Sequence, residues 1–227
     1  MNKTYRINDI ERRLNIARFS PLDVLVVGCT GAGKSSTINA LFETCVARVG
    51  RNCDPETTNI SSMQLNELMR FWDSPGLGDN VLSDRKYSED LIDLLYRDYT
   101  LDNNTYGLID TVLVILDGSG RDMGTTYQLL NEVIIPNFQS TRILVAINQA
   151  DMAMKGRHWD EMRNCPDYVL LNFLKDKADS VKKRIKEATG VNIPNPIFYS
   201  AERGYNVKQL LDMVIDNIPY SRRNLIV

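Results

Sequence analysis

The stretch Asp23-Val-Leu-Val-Val27, followed at once by Gly28-Cys-Thr-Gly-Ala-Gly33-Lys34-Ser35, decides the fold. Four apolar residues in a row fit a strand covered on both faces. The turn fills the pattern G-x-x-x-x-G-K-[ST] in full, and Ser35–Phe42 continues as a helix. Strand, glycine turn and helix are the parts an anion cradle needs. Glycines let the backbone curl so that the N–H groups of Gly31 to Lys34 point inward. The helix adds the partial positive charge of its N-terminus. Lys34 offers a cation to β- and γ-phosphates, and the Ser35 hydroxyl is a hard oxygen ligand suited to Mg²⁺. The phosphate-binding set is therefore Gly28, Thr30, Gly31, Ala32, Gly33, Lys34, Ser35 and Ser36.

Before this core, residues 3–19 carry Ile7, Ile10, Leu14 and Ala17 at helical spacing, and Ser20-Pro21 breaks the pattern. This predicts an N-terminal helical extension over 1–20 and one domain over 21–227. Residues 44–59 are polar and rich in turn formers. Strands are expected near Ile60–Leu65 and Leu68–Asp73, joined by Asn66-Glu67 as a hairpin, so one runs antiparallel. Residues 74–84 read as a loop. A helix over 88–99 follows, with Leu91, Ile92, Leu95 and Tyr99 on one side. Thr111–Leu116 is a strand, Thr125–Ile135 a helix ended by Pro136, and Arg142–Ile147 a strand. Residues 151–166 read as a polar loop. A helix from about Tyr168 to Ala188 stops at Gly190. Pro196–Tyr199 is a last strand, and Val207–Ile218 a last helix capped by Asn206. Such alternation makes the class α/β, a mostly parallel sheet with helices on both faces.

Three further segments bear on chemistry. Asp73-Ser-Pro-Gly76 follows a strand and fits D-x-x-G: the Asp suits Mg²⁺ through water, and the Gly offers an N–H to a γ-phosphate. Asn148-Gln-Ala-Asp151 follows the next-to-last strand. An Asp accepting two hydrogen bonds matches guanine, with its N1–H and N2–H₂, whereas adenine has no such pair. Asn148 ties this segment to the glycine turn. Ser200-Ala201 follows the last strand and offers a backbone N–H to guanine O6.

The 227 residues are 43% hydrophobic and 25% charged, ordinary for a globular chain. Lys and Arg number 27 against 29 Asp and Glu, a net charge of −2. That balance lacks the basic excess of a DNA binder. The longest apolar runs are strand length, so no transmembrane segment is expected. The N-terminus has no apolar h-region, which points to a cytoplasmic protein. Cys29, Cys45, Cys53 and Cys165 show no C-x-x-C pair and are read as reduced. The single histidine, His158, reads as a surface loop residue.

In this order the motifs resemble those of the small GTPase superfamily, across about residues 22–219. The ending Ser200-Ala-Glu-Arg-Gly-Tyr-Asn-Val-Lys-Gln-Leu-Leu is similar to the bacterial Era-like branch. Cys53-Asp-Pro-Glu-Thr-Thr and Trp72-Asp-Ser-Pro-Gly-Leu-Gly resemble the Era-like GTPases encoded in bacterial prophage islands. The P-loop is also similar to those of septins and the immunity-associated GTPases.

The resemblance implies a three-layer α/β/α P-loop NTPase of the small G-domain type. Its sheet would have six strands, mostly parallel, with one antiparallel. It implies GTP or GDP as ligand and Mg²⁺ as cofactor, held by Ser35, Asp73 and a switch threonine, Thr58 or else Thr57. Lys34, Thr58, Asp73 and Gly76 then carry catalysis, and Asn148, Gln149, Asp151, Ser200 and Ala201 hold the base. Leu77 stands where Ras-type enzymes carry a water-orienting Gln. Gly31 stands where potassium-using Era relatives carry an Asn, and Gln149 replaces the usual Lys of N-K-x-D. The expected function is slow GTP hydrolysis as a nucleotide-dependent switch. The alternative is a GTP-dependent assembly module with negligible hydrolysis. Homodimer pairing through the nucleotide face, and ribosome or RNA association, are implied by family alone.

Overall fold

The protein is seen in a computed structural model that describes residues 5–45, 53–54, 61–76, 81–101, 103–120 and 124–224. In chain order it runs α1 (Ile7–Ala17), β1 (Leu22–Gly28), α2 (Lys34–Cys45), β2 (Cys53–Asp54), β3 (Ser61–Asn66), β4 (Met69–Asp73), α3 (Val81–Tyr96), β5 (Asp98–Leu101), β6 (Asn104–Gly107) and β7 (Thr111–Asp117). Then come α4 (Gly124–Gln128), a π-helical stretch Leu129–Ile134, α5 (Ile135–Asn137), β8 (Ile143–Asn148), β9 (Trp159–Asp160), β10 (Cys165–Pro166), α6 (Tyr168–Thr189), β11 (Ile197–Phe198) and α7 (Val207–Asp216).

The main sheet has the order β11-β8-β7-β1-β4-β3-β2. The six expected strands are all in it, and β3 is the antiparallel one. The two-residue β2 adds to the outer edge, antiparallel to β3 and so aligned with the others. Alternation builds the three layers. Val24 and Val26 of β1 face one apolar cluster, which takes in Ile10, Ile38 and Leu211 from α1, α2 and α7. Leu25 and Val27 face the other, with Leu91, Leu130 and Val181 from α3, the π stretch and α6. Each fully buried aliphatic side chain contributes about 1.5–3 kcal/mol. From β1 the chain builds β4 on one side and later β7 on the other. The carboxyl ends of these strands therefore form a switch-point crevice, and the glycine turn opens into it.

Helix α1 lies on the same cluster as α7, and Arg6 pairs with Asp212 at 2.9 Å and Asp216 at 2.6 Å. Gly190 ends α6 with φ 74°, as expected of a helix stop.

Four local expectations change. The helix expected over 88–99 is α3, Val81–Tyr96; Tyr99 instead lies in β5 and pairs with Tyr106 of β6. The Arg222 guanidinium sits 5.0 and 5.4 Å from those two ring centres, a tertiary contact that periodicity does not carry. The polar loop 151–166 contains the β9–β10 hairpin, whose Trp159 meets Tyr205 edge-on with ring centres 5.2 Å apart. The helix expected to stop at Pro136 runs on through it: Gly124–Gln128, the π-helical stretch and Ile135–Asn137 follow one another without a break, and the chain turns extended only at Phe138, so Pro136 lies in the last turn. Asn206 makes no side-chain cap; its Nδ2 donates to the Phe198 carbonyl at 3.0 Å.

Under the sheet, opposite the crevice, buried charges cluster. Asp23 accepts from Arg70 Nε at 2.5 Å and Trp72 Nε1 at 2.7 Å, and Trp72 is buried in the core. Arg223, 1% exposed, donates to the carbonyls of Ile109 and Leu95. Arg142 donates to the carbonyls of Asp110 and Ser221. Asp110 accepts from the Asp23 N–H at 3.1 Å. Burial pushes its carboxyl from 3.8 up to about 8, against that N–H and the two arginines. The folded state thus holds a proton that the unfolded chain releases. The stability this gives is full below the unfolded value and is lost as pH rises through the folded one, by up to about 1.4 kcal/mol per pH unit. Asp110→Asn keeps an acceptor for the Asp23 N–H and should remove this slope. Urea midpoints at about pH 5 and about pH 8 check it: wild type should lose more stability than the variant, and equal losses contradict the assignment.

Candidate functional site

The glycine turn closes at the carboxyl end of β1 because side chains have no room there. A Cβ on Gly28 would overlap the Ile115 carbonyl oxygen. Gly33 has φ 84°, and a Cβ on it would overlap Asn148 Nδ2. Left-handed backbone with no space beside it selects glycine. Lys34 is 7% exposed and its Nζ donates to the carbonyls of Gly28 and Cys29, both at 3.1 Å. The ammonium is thereby held inside the curve of the turn. Thr37 fastens the start of α2: its Oγ1 donates to the Gly33 carbonyl at 2.7 Å and meets Tyr199 OH at 2.6 Å.

Beside the turn, Ser35 Oγ donates to Asp73 Oδ2 at 2.6 Å. Asp73 Oδ1 is buried and has no hydrogen-bond partner among the described residues. A serine hydroxyl against a carboxylate with an orphaned oxygen is a hard-oxygen pair, and it fits Mg²⁺ that brings phosphate and water as its other ligands. Among the described residues no cluster of three His, Cys, Asp or Glu offers an alternative cage. Gly76 lies against the Thr30 backbone so closely that a Cβ would overlap it, which brings D-x-x-G onto the glycine turn. Ser74 holds that segment by donating to the Val26 carbonyl at 2.7 Å. Thr57, Thr58 and Leu77 lie outside the described residues.

A cavity of roughly 820 Å³ runs from the turn to the loops after β8 and β11. Gly31, Gly33, Lys34, Ser35, Ser36, Asn148, Gln149, Asp151, Ser200 and Ala201 line it, joined by Met152, Glu202 and Arg203. Gly28, Thr30 and Ala32 are not among the lining residues. Asn148 joins the two ends of the site: its Nδ2 donates to the Ala32 carbonyl at 3.0 Å, and its Oδ1 accepts from the Ala201 N–H at 3.0 Å. That N–H, expected to face guanine O6, is thus directed at Asn148. Gln149 Nε2 donates to the Gly31 carbonyl at 2.7 Å, so a neutral amide tethers this loop to the turn. The Ser200 hydroxyl accepts from the Arg203 N–H at 3.1 Å and braces its own loop. Asp151 is 6% exposed; its Oδ1 is buried and has no hydrogen-bond partner among the described residues.

Sequence reasoning missed Thr37, Tyr199, Met152, Glu202 and Arg203. Only Glu202 and Arg203 carry a signal, because they directly follow Ser200-Ala201. His158 lies at the surface, as read, beside Asp167. Cys29 and Cys165 are free thiols. No helix among the described residues is long and apolar enough to cross a membrane.

Comparison with known proteins adds to this geometry. The family described as "50S ribosome-binding GTPase" matches residues 23–189, well over half of the chain. "Translocase of chloroplast 125, chloroplastic" from Physcomitrium patens is 33% identical over 92 residues, covering 37% of this chain and 8% of that protein. The present chain therefore spans a small part of that relative. Among solved structures, a dimerization-deficient mutant of Toc33 from Arabidopsis thaliana superposes with a TM-score of 0.62 at 16% identity, over 97% of this chain and 94% of that one. A GTP-binding protein from Sulfolobus solfataricus in complex with GDP gives 0.52 at 20% identity, over 94% and 57%. At these identities the two structures speak for the fold alone.

Proposed function

Because the chain belongs to the 50S ribosome-binding GTPase family, we propose that it binds GTP and slowly hydrolyses it to GDP and phosphate, acting as a nucleotide-dependent switch. One observation carries the reading: the cavity lined by Lys34 at the glycine turn is lined at the loop after β8 by Asp151, whose buried Oδ1 has no hydrogen-bond partner among the described residues. A buried carboxylate oxygen left without a partner is costly, and a ligand N–H relieves that cost. Guanine supplies two such donors, and its phosphates reach back to the turn.

Ser35, Asp73 and Thr58 (or Thr57) would hold Mg²⁺, whose charge offsets that developing on the phosphoryl oxygens. Lys34 adds a fixed cation, and Gly76 offers an N–H. Catalysis is positioning and electrostatics, with no covalent intermediate. Loss of the γ-phosphate releases the loops that carry Thr58 (or Thr57) and Gly76. The unit that does this is residues 21–227, with 1–20 as an extension, in a cytoplasmic protein of Era-like type. Leu77 favours a second reading, GTP-dependent assembly with negligible turnover, since it has no group to orient water.

Single-turnover phosphate release from GTP with Mg²⁺ tests the hydrolase. Release should exceed that of Lys34→Ala and stop on adding a chelator. Bound GTP with release no faster than in Lys34→Ala overturns hydrolysis and leaves the assembly reading.

A further inference from the structure

The Asp151 end of the cavity holds a charged side chain that has no part in the nucleotide-binding set above. Arg203 lies on the loop after β11, and its Nε stands 3.8 Å from Asp151 Oδ2. This is an ion pair, too long for a hydrogen bond. The rest of the guanidinium is fixed. Nη1 and Nη2 donate to the two oxygens of Glu161, each at 2.9 Å. Glu161 sits in the turn between β9 and β10. The Arg203 backbone is held too, with its N–H on Ser200 Oγ at 3.1 Å and its carbonyl on Asn164 Nδ2 at 2.8 Å. The β9–β10 hairpin is thus bonded to the loop that borders Asp151.

A two-toothed Arg–carboxylate fork fixes the plane of the guanidinium as well as its place. A carboxylate left alone rotates about its last torsion with little resistance. A fixed cation on one oxygen removes that freedom and determines where the other points. Here Oδ2 faces Arg203, and Oδ1 is the buried oxygen with no partner among the described residues.

We infer that Arg203, braced by Glu161, is a positioning residue for guanine, holding the Asp151 carboxylate from the cavity wall so that both its oxygens meet N1–H and N2–H₂ of the base. The inference rests on the guanine reading above and adds the device that presets its selectivity. Arg203 itself need not touch the base. Without it Asp151 turns, and the two-point bond suffers most. Inosine, which has N1–H but no 2-amino group, makes a one-point bond and loses less.

Titrations of GDP and IDP against wild type, Arg203→Gln, Arg203→Lys and Glu161→Gln test this. Arg203→Gln should weaken GDP about tenfold, the loss of one charge-assisted bond, and IDP by under about threefold. The GDP-to-IDP preference should therefore shrink. Arg203→Lys should recover part of it, because it keeps the charge and loses the fork. Glu161→Gln should lower the preference in the wild-type background and add nothing on top of Arg203→Gln. Equal losses for both nucleotides, or additive effects, overturn the inference while leaving a guanine-selective site in place. A wild-type protein that takes ADP as readily as GDP overturns the guanine reading and this inference together.

Discussion

Replacing Lys34 with alanine should lower affinity for GTP and GDP by more than about a hundredfold while leaving the fold intact. Hydrogen bonds between charged groups contribute about 1.5–3 kcal/mol each, and the ammonium meets oxygens of two phosphates, so about 3 kcal/mol is lost. The cation is already in place, inside the turn and bonded to the Gly28 and Cys29 carbonyls, so little ordering offsets its attraction. Lys34→Arg should fare nearly as badly, since a forked guanidinium does not fit a space shaped for a compact ammonium. Stability should change less than binding. The apolar clusters on the two faces of β1 do not involve Lys34, and the helix it begins is fastened by Thr37 through Gly33 and Tyr199. Titration with a fluorescent guanine nucleotide, paired with thermal melts, checks both halves. A variant that binds within about threefold of wild type contradicts the placing of phosphate at Lys34.

The site was legible wherever its chemistry is local in the chain. Gly28 to Ser35 declares its own shape, because the glycines, the lysine and the helix start lie within one turn of backbone. Asp73, Asn148 and Asp151 were legible because each follows a buried apolar strand, and strand ends in an α/β sheet point at one crevice. The hairpins β5–β6 and β9–β10 were not. They are short and polar, and what holds them lies elsewhere in the chain: Arg222 over Tyr99 and Tyr106, and Tyr205 against Trp159. The same reason hid what Arg203 does, although its place directly after Ser200-Ala201 was visible. Its role depends on Glu161 and Asp151, which no periodicity connects to it. It also hid the direction of the Ala201 N–H, which geometry turns toward Asn148. The buried charges around Asp110 escaped notice because single acidic and basic residues in a sequence read as surface.

The proposed function stands on a pocket that accepts guanine at Asp151 and rejects adenine. Displacement of bound labelled GDP tests it most directly, with GTP, ATP and XTP as competitors against wild type and Asp151→Asn. Guanine presents two donors to the carboxylate, and adenine cannot form that pair, so discrimination should be more than about a hundredfold. In Asp151→Asn the amide N–H meets the 2-carbonyl of xanthine, so XTP should become the better competitor as GTP weakens. GTP displacing GDP from wild type while ATP does not, with that order moving to XTP in the variant, is the expected result. ATP displacing GDP from wild type as well as GTP does would refute a guanine pocket at Asp151.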